Sequence, residues 1–175
     1  DDSLPELEIN NCNIKFNNVS FKYDNTNEKA IRDISTNIEG GKVTALVGPS
    51  GAGKSTVINL IPRFDDVHEG NIEIDNQDIK KIKLRSLRKH MALVSQDIVL
   101  FDDSIKNNIA YANPNATERE IIDACKYAAA DEFIEKLAKK YDSLVGENGV
   151  KLSGGQKQRI SIARAIIKNS QIIKK

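Results

Sequence analysis

Hydrophobic and polar positions alternate over much of the first half of the chain, and this alternation predicts β-strands. The apolar positions change parity at Asn17-Asn18, so the first strand is expected to contain a bulge. Its apolar residues are Ile14 and Phe16 before the change, and Val19, Phe21 and Tyr23 after it. Further strands are predicted over about 30–38, 43–47 and 70–75, and a short buried one over 91–94.

Helical spacing takes over in the second half of the chain. Thr117 and Glu120 have the form of a capping box, and apolar residues continue from there at helical intervals. A short helix is expected from Asp131, with Phe133, Ile134 and Leu137 facing inward. The last helix is predicted to start near Gly155, and its core face carries Ile160, Ala163, Ile166 and Ile167.

Composition narrows the possible partners. The net charge is +1 and aromatic residues make up 5% of 175 residues, so nucleic acid is not expected as a partner. The densest basic stretch, over 80–89, is interpreted as a solvated face rather than a lipid- or RNA-binding patch. Cys12 and Cys125 form no C-x-x-C pair, which favours idle thiols in the cytosol. No apolar run reaches the length of a membrane span, so we expect the chain itself to be soluble.

A glycine-rich stretch between the 43–47 run and an apolar helical pattern predicts a phosphate-binding loop and helix. It matches G-x-x-x-x-G-K-[ST] and reads Gly48, Pro49, Ser50, Gly51, Ala52, Gly53, Lys54, Ser55, Thr56. Its backbone N–H groups and the helix dipole would hold phosphate oxygens. Lys54 would neutralise the β- and γ-phosphates, and the Ser55 hydroxyl would coordinate Mg²⁺. Pro62 limits the helix.

A second candidate anion site precedes the last predicted helix. Ser153 and the backbone N–H groups of Gly154 and Gly155 would cap a helix whose dipole carries roughly half a positive charge. By itself, such a Ser-Gly-Gly stretch is more often only a loop and a cap. The sequence continues through Gln156 and beyond with the run LSGGQKQRISIARA over residues 152–165.

This run resembles the signature motif of ATP-binding cassette (ABC) ATPases, and the resemblance extends from residue 14 to 173. It implies an α/β fold with a P-loop NTPase core of ABC type, an antiparallel β subdomain and a helical subdomain carrying the signature. It also implies that Tyr23 stacks on adenine, although a strand-end tyrosine packed on the core is the alternative. Gln96 corresponds to the glutamine that reaches Mg²⁺ and the attacking water, so Lys54 and Gln96 are the candidate catalytic residues, with Ser55 and Gln96 at the metal.

In the family, two cassettes pair head to tail, so Ser153, Gly154, Gly155 and Gln156 would act in trans on ATP and Mg²⁺ held by the other copy. The loop over 144–149 and the segment over 100–109 resemble those of bacterial lipid and multidrug exporters. The implied partner is a transmembrane domain, and the implied location is the cytoplasmic face of the inner membrane. The implied activity is transport-coupled ATP hydrolysis that moves a lipid-like or hydrophobic substrate.

The chain departs from the family pattern after the signature helix. The Asp-Glu pair and the switch histidine are absent, since Ile172-Ile173 is followed by two lysines, and neither His68 nor His90 fits the switch position. We therefore expect a linker over 1–12 and an incomplete ABC domain over 13–175 that lacks its C-terminal core strands, with a helical subdomain over about 97–155. Its own ATP turnover should be very low. The alternatives are an ABC ATPase without a membrane partner, or a non-catalytic nucleotide-binding remnant.

Overall fold

The computed structural model describes residues 3–26, 28–95 and 97–174. The chain divides into two compact units, Asp1–Met91 and Ala92–Lys175. Within the described ranges, no helix combines the length and the apolar character needed to cross a bilayer.

An antiparallel four-stranded sheet forms the centre of the first unit. Its strands are β1 (Ile14–Phe21), β2 (Ile31–Ile38), β3 (Glu69–Ile74) and the short β4 (Gln77–Asp78), in the order β2-β1-β3-β4. The predicted bulge in β1 is confirmed, because the pairing of β1 with both neighbours shifts register around Asn18, whose φ is 48°. The buried side of the sheet carries apolar residues, including Phe16, Val19, Ile72 and Ile74.

A tight turn at Asp75-Asn76 joins β3 to β4 and anchors the amino-terminal segment (residues 5–13). Both turn residues have positive φ, at 47° and 64°, as expected for a hairpin turn built from Asp and Asn. The Asp75 carboxylate accepts hydrogen bonds from the backbone N–H groups of residues 10–13, at 2.7 to 3.0 Å. Earlier in the segment, Leu7 is 4% exposed, and its N–H donates to the Ser86 hydroxyl.

The predicted strand over 43–47 is wrong. No strand forms there, and Val43 and Val47 are almost fully exposed. An extended run becomes a strand only when a neighbour supplies hydrogen bonds, and no strand within the described ranges pairs with this one. The helix after the phosphate loop is confirmed as α1 (Lys54–Leu60).

The basic stretch contains two elements that the hydrophobic pattern does not predict. They are a 3₁₀ turn (Ile79–Lys81) and helix α2 (Leu84–Lys89). Part of its charge serves the fold: Lys80 donates to the Val67 carbonyl, and Arg88 donates to the carbonyls of Pro62 and Arg63. The rest of the stretch fits the interpretation as a solvated face, because Lys81, Arg85 and Lys89 are exposed.

Helices around one apolar core make up most of the second unit. They are α3 (Ile105–Ala110), α4 (Glu118–Tyr127), α5 (Asp131–Ile134) and α6 (Gly154–Ile167), with 3₁₀ turns at Lys140–Asp142 and Glu147–Gly149. The predicted capping box of α4 is confirmed, and Ile160, Ala163 and Ile167 of α6 lie in the core as predicted. Strands β5 (Met91–Leu93) and β6 (Ile172–Lys174) form a two-stranded sheet, in which β6 was not predicted as a strand.

Cys12 and Cys125 are both free thiols. Cys125 is buried in the helical core, and burial raises its pKa to about 12. Such a thiol stays protonated at neutral pH and is a poor nucleophile.

Candidate functional site

The phosphate loop has a backbone that two of its glycines make possible. Gly51 and Gly53 have φ of 81° and 82°, a conformation that other residues rarely adopt. At Gly53 a side chain is also excluded by contact, because a Cβ there would lie 2.7 Å from the Ala30 carbonyl oxygen. The loop passes close to the start of β2 at this point and is otherwise exposed to solvent up to Ala52.

The amino-terminal end of α1 presents backbone donors. No side chain caps the helix, and its first backbone hydrogen bond runs from the N–H of Val57 to the carbonyl of Gly53, at 2.9 Å. The N–H groups of Lys54, Ser55 and Thr56 therefore have no acceptor in the described part of the chain. Donors at a helix start, in line with the positive end of the dipole, are suited to an anion.

Lys54 folds back over the loop that precedes it. Its Nζ donates to the carbonyl oxygens of Gly48 and Pro49, at 2.8 and 2.7 Å. An ammonium group has three donors, so one N–H remains for a ligand while the other two hold the loop. The Ser55 hydroxyl lies on the exposed side of the same first turn.

Tyr23 lies against the same helix. Its hydroxyl and that of Thr56 share a hydrogen bond with 2.9 Å between the oxygens. Its ring packs edge-on against Phe21, with 4.9 Å between centroids, and 40% of the residue stays exposed. Tyr23 therefore packs on the core residue Phe21, as in the second alternative from the sequence. Its stacking on adenine stays a prediction for the part of the ring that is exposed.

In the second unit, the signature turn begins α6 with a complete capping box. The Ser153 hydroxyl accepts from the N–H of Gln156 at 3.3 Å, and the Gln156 amide oxygen accepts from the N–H of Ser153 at 2.9 Å. The role of Gln156 as a cap partner was missed, although the Ser-x-x-Gln spacing could have revealed it. Gly154 and Gly155 are exposed, and a Cβ at either would meet nothing within 4 Å. Internal packing therefore does not require glycine there.

A polar network around the buried Asn108, which the sequence did not reveal, connects α6 to α3. The Arg164 guanidinium donates to the carbonyls of Val99 and Asn108 and to the Asn108 side-chain oxygen, each at 2.6 Å. Asn108 is 1% exposed, and its amide group also donates to the carbonyls of Phe101 and Ser104, both at 3.0 Å.

Backbone hydrogen bonds link the segment over 100–109 to the loop over 144–149. The N–H of Ile105 donates to the Ser143 carbonyl, and the N–H of Val145 donates to the Asp103 carbonyl. The two segments that resemble those of exporters are thus joined to each other.

Neither Gln96 nor a histidine adds to the described part of the phosphate site. Gln96 is outside the described residues. His68 packs its ring on Phe21, with 5.4 Å between centroids. Among the described residues, no group of three His, Cys, Asp or Glu side chains is arranged to hold a metal ion. The phosphate loop and Tyr23 belong to the first unit, and the signature turn belongs to the second.

The family model described as ABC transporter matches residues 31–173, which is most of the chain. This chain belongs to the ABC transporter family. An ATP-dependent lipid A-core flippase of Photorhabdus laumondii is 51% identical over 174 residues, which cover 99% of this chain and 30% of that protein. ABC transporter B family member 14 of Arabidopsis thaliana is 53% identical over 161 residues, which cover 91% of this chain and 13% of that protein.

A solved structure agrees in fold with this member of the family. The structure of a bacterial Atm1-family ABC exporter with ATP bound matches with a TM-score of 0.94 and 46% identity, over 98% of this chain and 30% of that one. The predicted ABC-type α/β fold, with its antiparallel sheet and helical part, is therefore confirmed. The chain spans about 30% of the length of the flippase and of the exporter.

Proposed function

We propose that this chain is the ATP-binding part of an ABC exporter, and that ATP binding and hydrolysis there drive the movement of a lipid-like or hydrophobic substrate. The observation that carries the proposal is the phosphate loop. Its backbone N–H groups at the start of α1 lack acceptors in the described part of the chain, and Lys54 keeps one ammonium N–H for a ligand. A triphosphate supplies the negative charge and the acceptor oxygens that this arrangement requires.

The residues present suit a magnesium ion that arrives with the nucleotide. Mg²⁺ usually keeps several waters and binds through phosphates and one or two protein ligands. The exposed Ser55 hydroxyl on the first turn of α1 can supply one such ligand, and Gln96 is the second proposed ligand. Bound Mg²⁺ would neutralise charge on the β- and γ-phosphates.

The proposed catalytic assembly is a head-to-tail dimer with two nucleotides at its interface. The capped start of α6 supports this assembly, because its two exposed glycines leave space for a phosphate group that another copy holds. Ser153, Gly154, Gly155 and Gln156 would contact the γ-phosphate of ATP held by the other copy. The signature turn would then contribute to closure only when both copies are present.

The relatives support a transport role for the longer protein. They include the lipid A-core flippase and the bacterial exporter described above, so an ABC ATPase without a membrane partner is not favoured. The proposed partner is a transmembrane domain, and the proposed location is the cytoplasmic face of the membrane. The segments over 100–109 and 144–149 are the proposed contact with that domain.

Turnover by the 175-residue chain itself is proposed to be very low. Its sequence contains no Asp or Glu after Glu147, so no carboxylate follows the signature helix to position the attacking water. General acid–base assistance is typically worth about 10²- to 10⁴-fold in rate. Nucleotide binding, rather than hydrolysis, is therefore the property to test first.

The proposal is tested by titrating Mg-ATP into the parent chain and into the variant Lys54→Ala, and comparing the two affinities. We expect affinity to fall by about 10- to 100-fold, because charge-assisted bonds to phosphate are lost. The fold should persist, since the side chain bonds only to loop carbonyls. Lys42→Ala is the matched control, because Lys42 is an exposed lysine that pairs with Glu39. Equal affinity of both variants for Mg-ATP would refute the phosphate-loop assignment.

A further inference from the structure

Tyr23 is held at several points, although 40% of the residue remains exposed. Its ring packs at a right angle against Phe21, which is itself buried and also contacts the His68 ring. Its backbone carbonyl accepts from both the N–H and the hydroxyl of Thr26, at 3.0 and 3.1 Å. These contacts hold the Tyr23 backbone and one edge of its ring. They leave open what holds the hydroxyl end of the side chain.

The Tyr23 hydroxyl is held by Thr56, 33 residues away in the sequence. Thr56 is buried in the first turn of α1, immediately after the lysine and serine of the phosphate loop. A buried threonine on a helix has few accessible rotamers, so its hydroxyl has few possible positions. The hydrogen bond thus ties the far edge of an exposed aromatic ring to the helix that presents the phosphate-binding N–H groups.

We infer that Thr56 is a positioning residue for base recognition: its hydroxyl sets the orientation of the Tyr23 ring before a nucleotide binds. The inference rests on the proposed ATP site. A flat exposed ring stacks on a purine only in a suitable orientation, and fixing it beforehand removes the entropy cost of ordering it on binding. Thr56 thereby links the selection of the base to the loop that binds the phosphates.

The test compares a ligand that has a base with one that lacks it. Mg-ATP and Mg-tripolyphosphate are titrated by calorimetry into the 175-residue chain and its variants. The readout is the affinity for Mg-ATP divided by the affinity for Mg-tripolyphosphate. Tyr23→Phe keeps the ring and removes only its hydroxyl. We expect this ratio to fall by about 3- to 10-fold, the equivalent of one net hydrogen bond, while tripolyphosphate affinity stays unchanged.

Variants at Thr56 separate positioning from a merely structural role. Thr56→Val should lower the ratio by the same factor as Tyr23→Phe, and Thr56→Ser, which keeps the hydroxyl, should restore it. The double variant Tyr23→Phe with Thr56→Val should be no worse than either single variant, because both remove the same bond. Tyr127→Phe removes the hydroxyl of an exposed tyrosine in the second unit and should change nothing.

The outcomes distinguish this inference from the proposal on which it rests. An unchanged ratio in Tyr23→Phe, or a double variant whose loss is the product of the two single losses, would overturn the positioning role while leaving the ATP site intact. A parent chain that binds neither ligand would instead refute the nucleotide site itself. Circular dichroism of each variant excludes unfolding as the cause, and Tyr23→Phe and Thr56→Ser keep the test decisive if Thr56→Val fails to fold.

Discussion

A single carboxylate, that of Asp75, anchors the amino-terminal segment to the β3–β4 turn. Burial by itself would raise the pKa of Asp75, but the backbone N–H groups of Asn10, Asn13, Cys12 and Asn11 outweigh it and lower the pKa from 3.8. Hydrogen bonds to a charged acceptor are among the strong ones in proteins. The charge on this side chain is therefore coupled to the folding of the segment.

We expect Asp75→Asn to lower the free energy of unfolding of the first unit by about 2 kcal/mol at neutral pH, because an amide replaces the charge and one acceptor oxygen. Hydrogen exchange at the amides of residues 10–13 should speed up, which mass spectrometry can measure. Asp24→Asn, at an exposed carboxylate in the same unit, should leave this exchange unchanged.

The pH dependence of this effect follows from the sign of the shift. Because the pKa of Asp75 is lower in the folded state, its contribution is complete above the unfolded pKa of about 3.9 and is lost as pH falls through the folded value. The stabilities of the parent chain and Asp75→Asn should therefore begin to converge as pH falls below about 4, and should meet only below the folded pKa. A difference that stays constant from pH 7 to pH 2 would contradict the role of the charge.

At the scale of elements, α6 depends on a polar contact that lies far from its signature end. Arg164 donates to the Val99 carbonyl, which precedes α3, and to two oxygens of Asn108 within α3, and Asn108 is buried. Without the guanidinium, the Asn108 carbonyl would lose the donor that Arg164 supplies, and the Asn108 side-chain oxygen would keep only the N–H of Phe101. We expect Arg164→Gln to lower the free energy of unfolding of the second unit by about 2 to 3 kcal/mol.

Urea unfolding, followed by circular dichroism at 222 nm, measures this loss of stability. Arg164→Lys should restore only a part of it, since a lysine is a point donor and cannot bond three acceptors in the geometry of the fork. Arg119→Lys on α4 is the matched control, because that arginine is almost fully exposed. A full rescue by lysine would show that charge, and not the geometry of the bonds, is what α6 requires.

The elements also show how far the sequence could predict this fold. Capping boxes and 3.6-residue spacing are local signals, so α4 and α6 were predicted near their observed starts. The run over 43–47 has the same apolar character as a strand, but a strand is defined by its neighbours, and hydrophobicity contains no information about them. Helices α2 and α3 are only six residues long, too short to produce a periodic signal.

The residues of the candidate site could be named from the sequence only where they are continuous along the chain. The phosphate loop and the signature turn are continuous motifs, so their residues could be named from the sequence. The hydrogen bond from Tyr23 to Thr56 and the network from Arg164 to Asn108 join residues 33 and 56 positions apart. Such pairs arise only from tertiary packing, which no local pattern specifies.

At the scale of the whole molecule, the proposed function requires two copies of the chain. The phosphate loop lies in one unit and the signature turn in the other, and in the proposed dimer each signature turn meets the ATP bound by the partner. We expect Ser153→Arg, in a subunit of the length found in the relatives, to retain ATP binding and to lose ATP-driven pairing. A bulky cation at that turn would occupy the space that the exposed glycines leave open.

Light scattering after gel filtration, with and without Mg-ATP, measures this pairing. Ser153→Ala loses the same cap, at a cost of about 1 kcal/mol, and one of the four proposed contacts to the γ-phosphate, but it adds no bulk or charge, so it should still pair, with reduced affinity. Asn115→Arg adds the same charge at an exposed position of the second unit and should also pair. Persistent ATP-driven dimers of Ser153→Arg would contradict the trans arrangement, because a side chain of that size cannot share the space of a γ-phosphate. Failure of all three variants would instead indicate that pairing depends on the overall charge or stability of the unit and not on this turn.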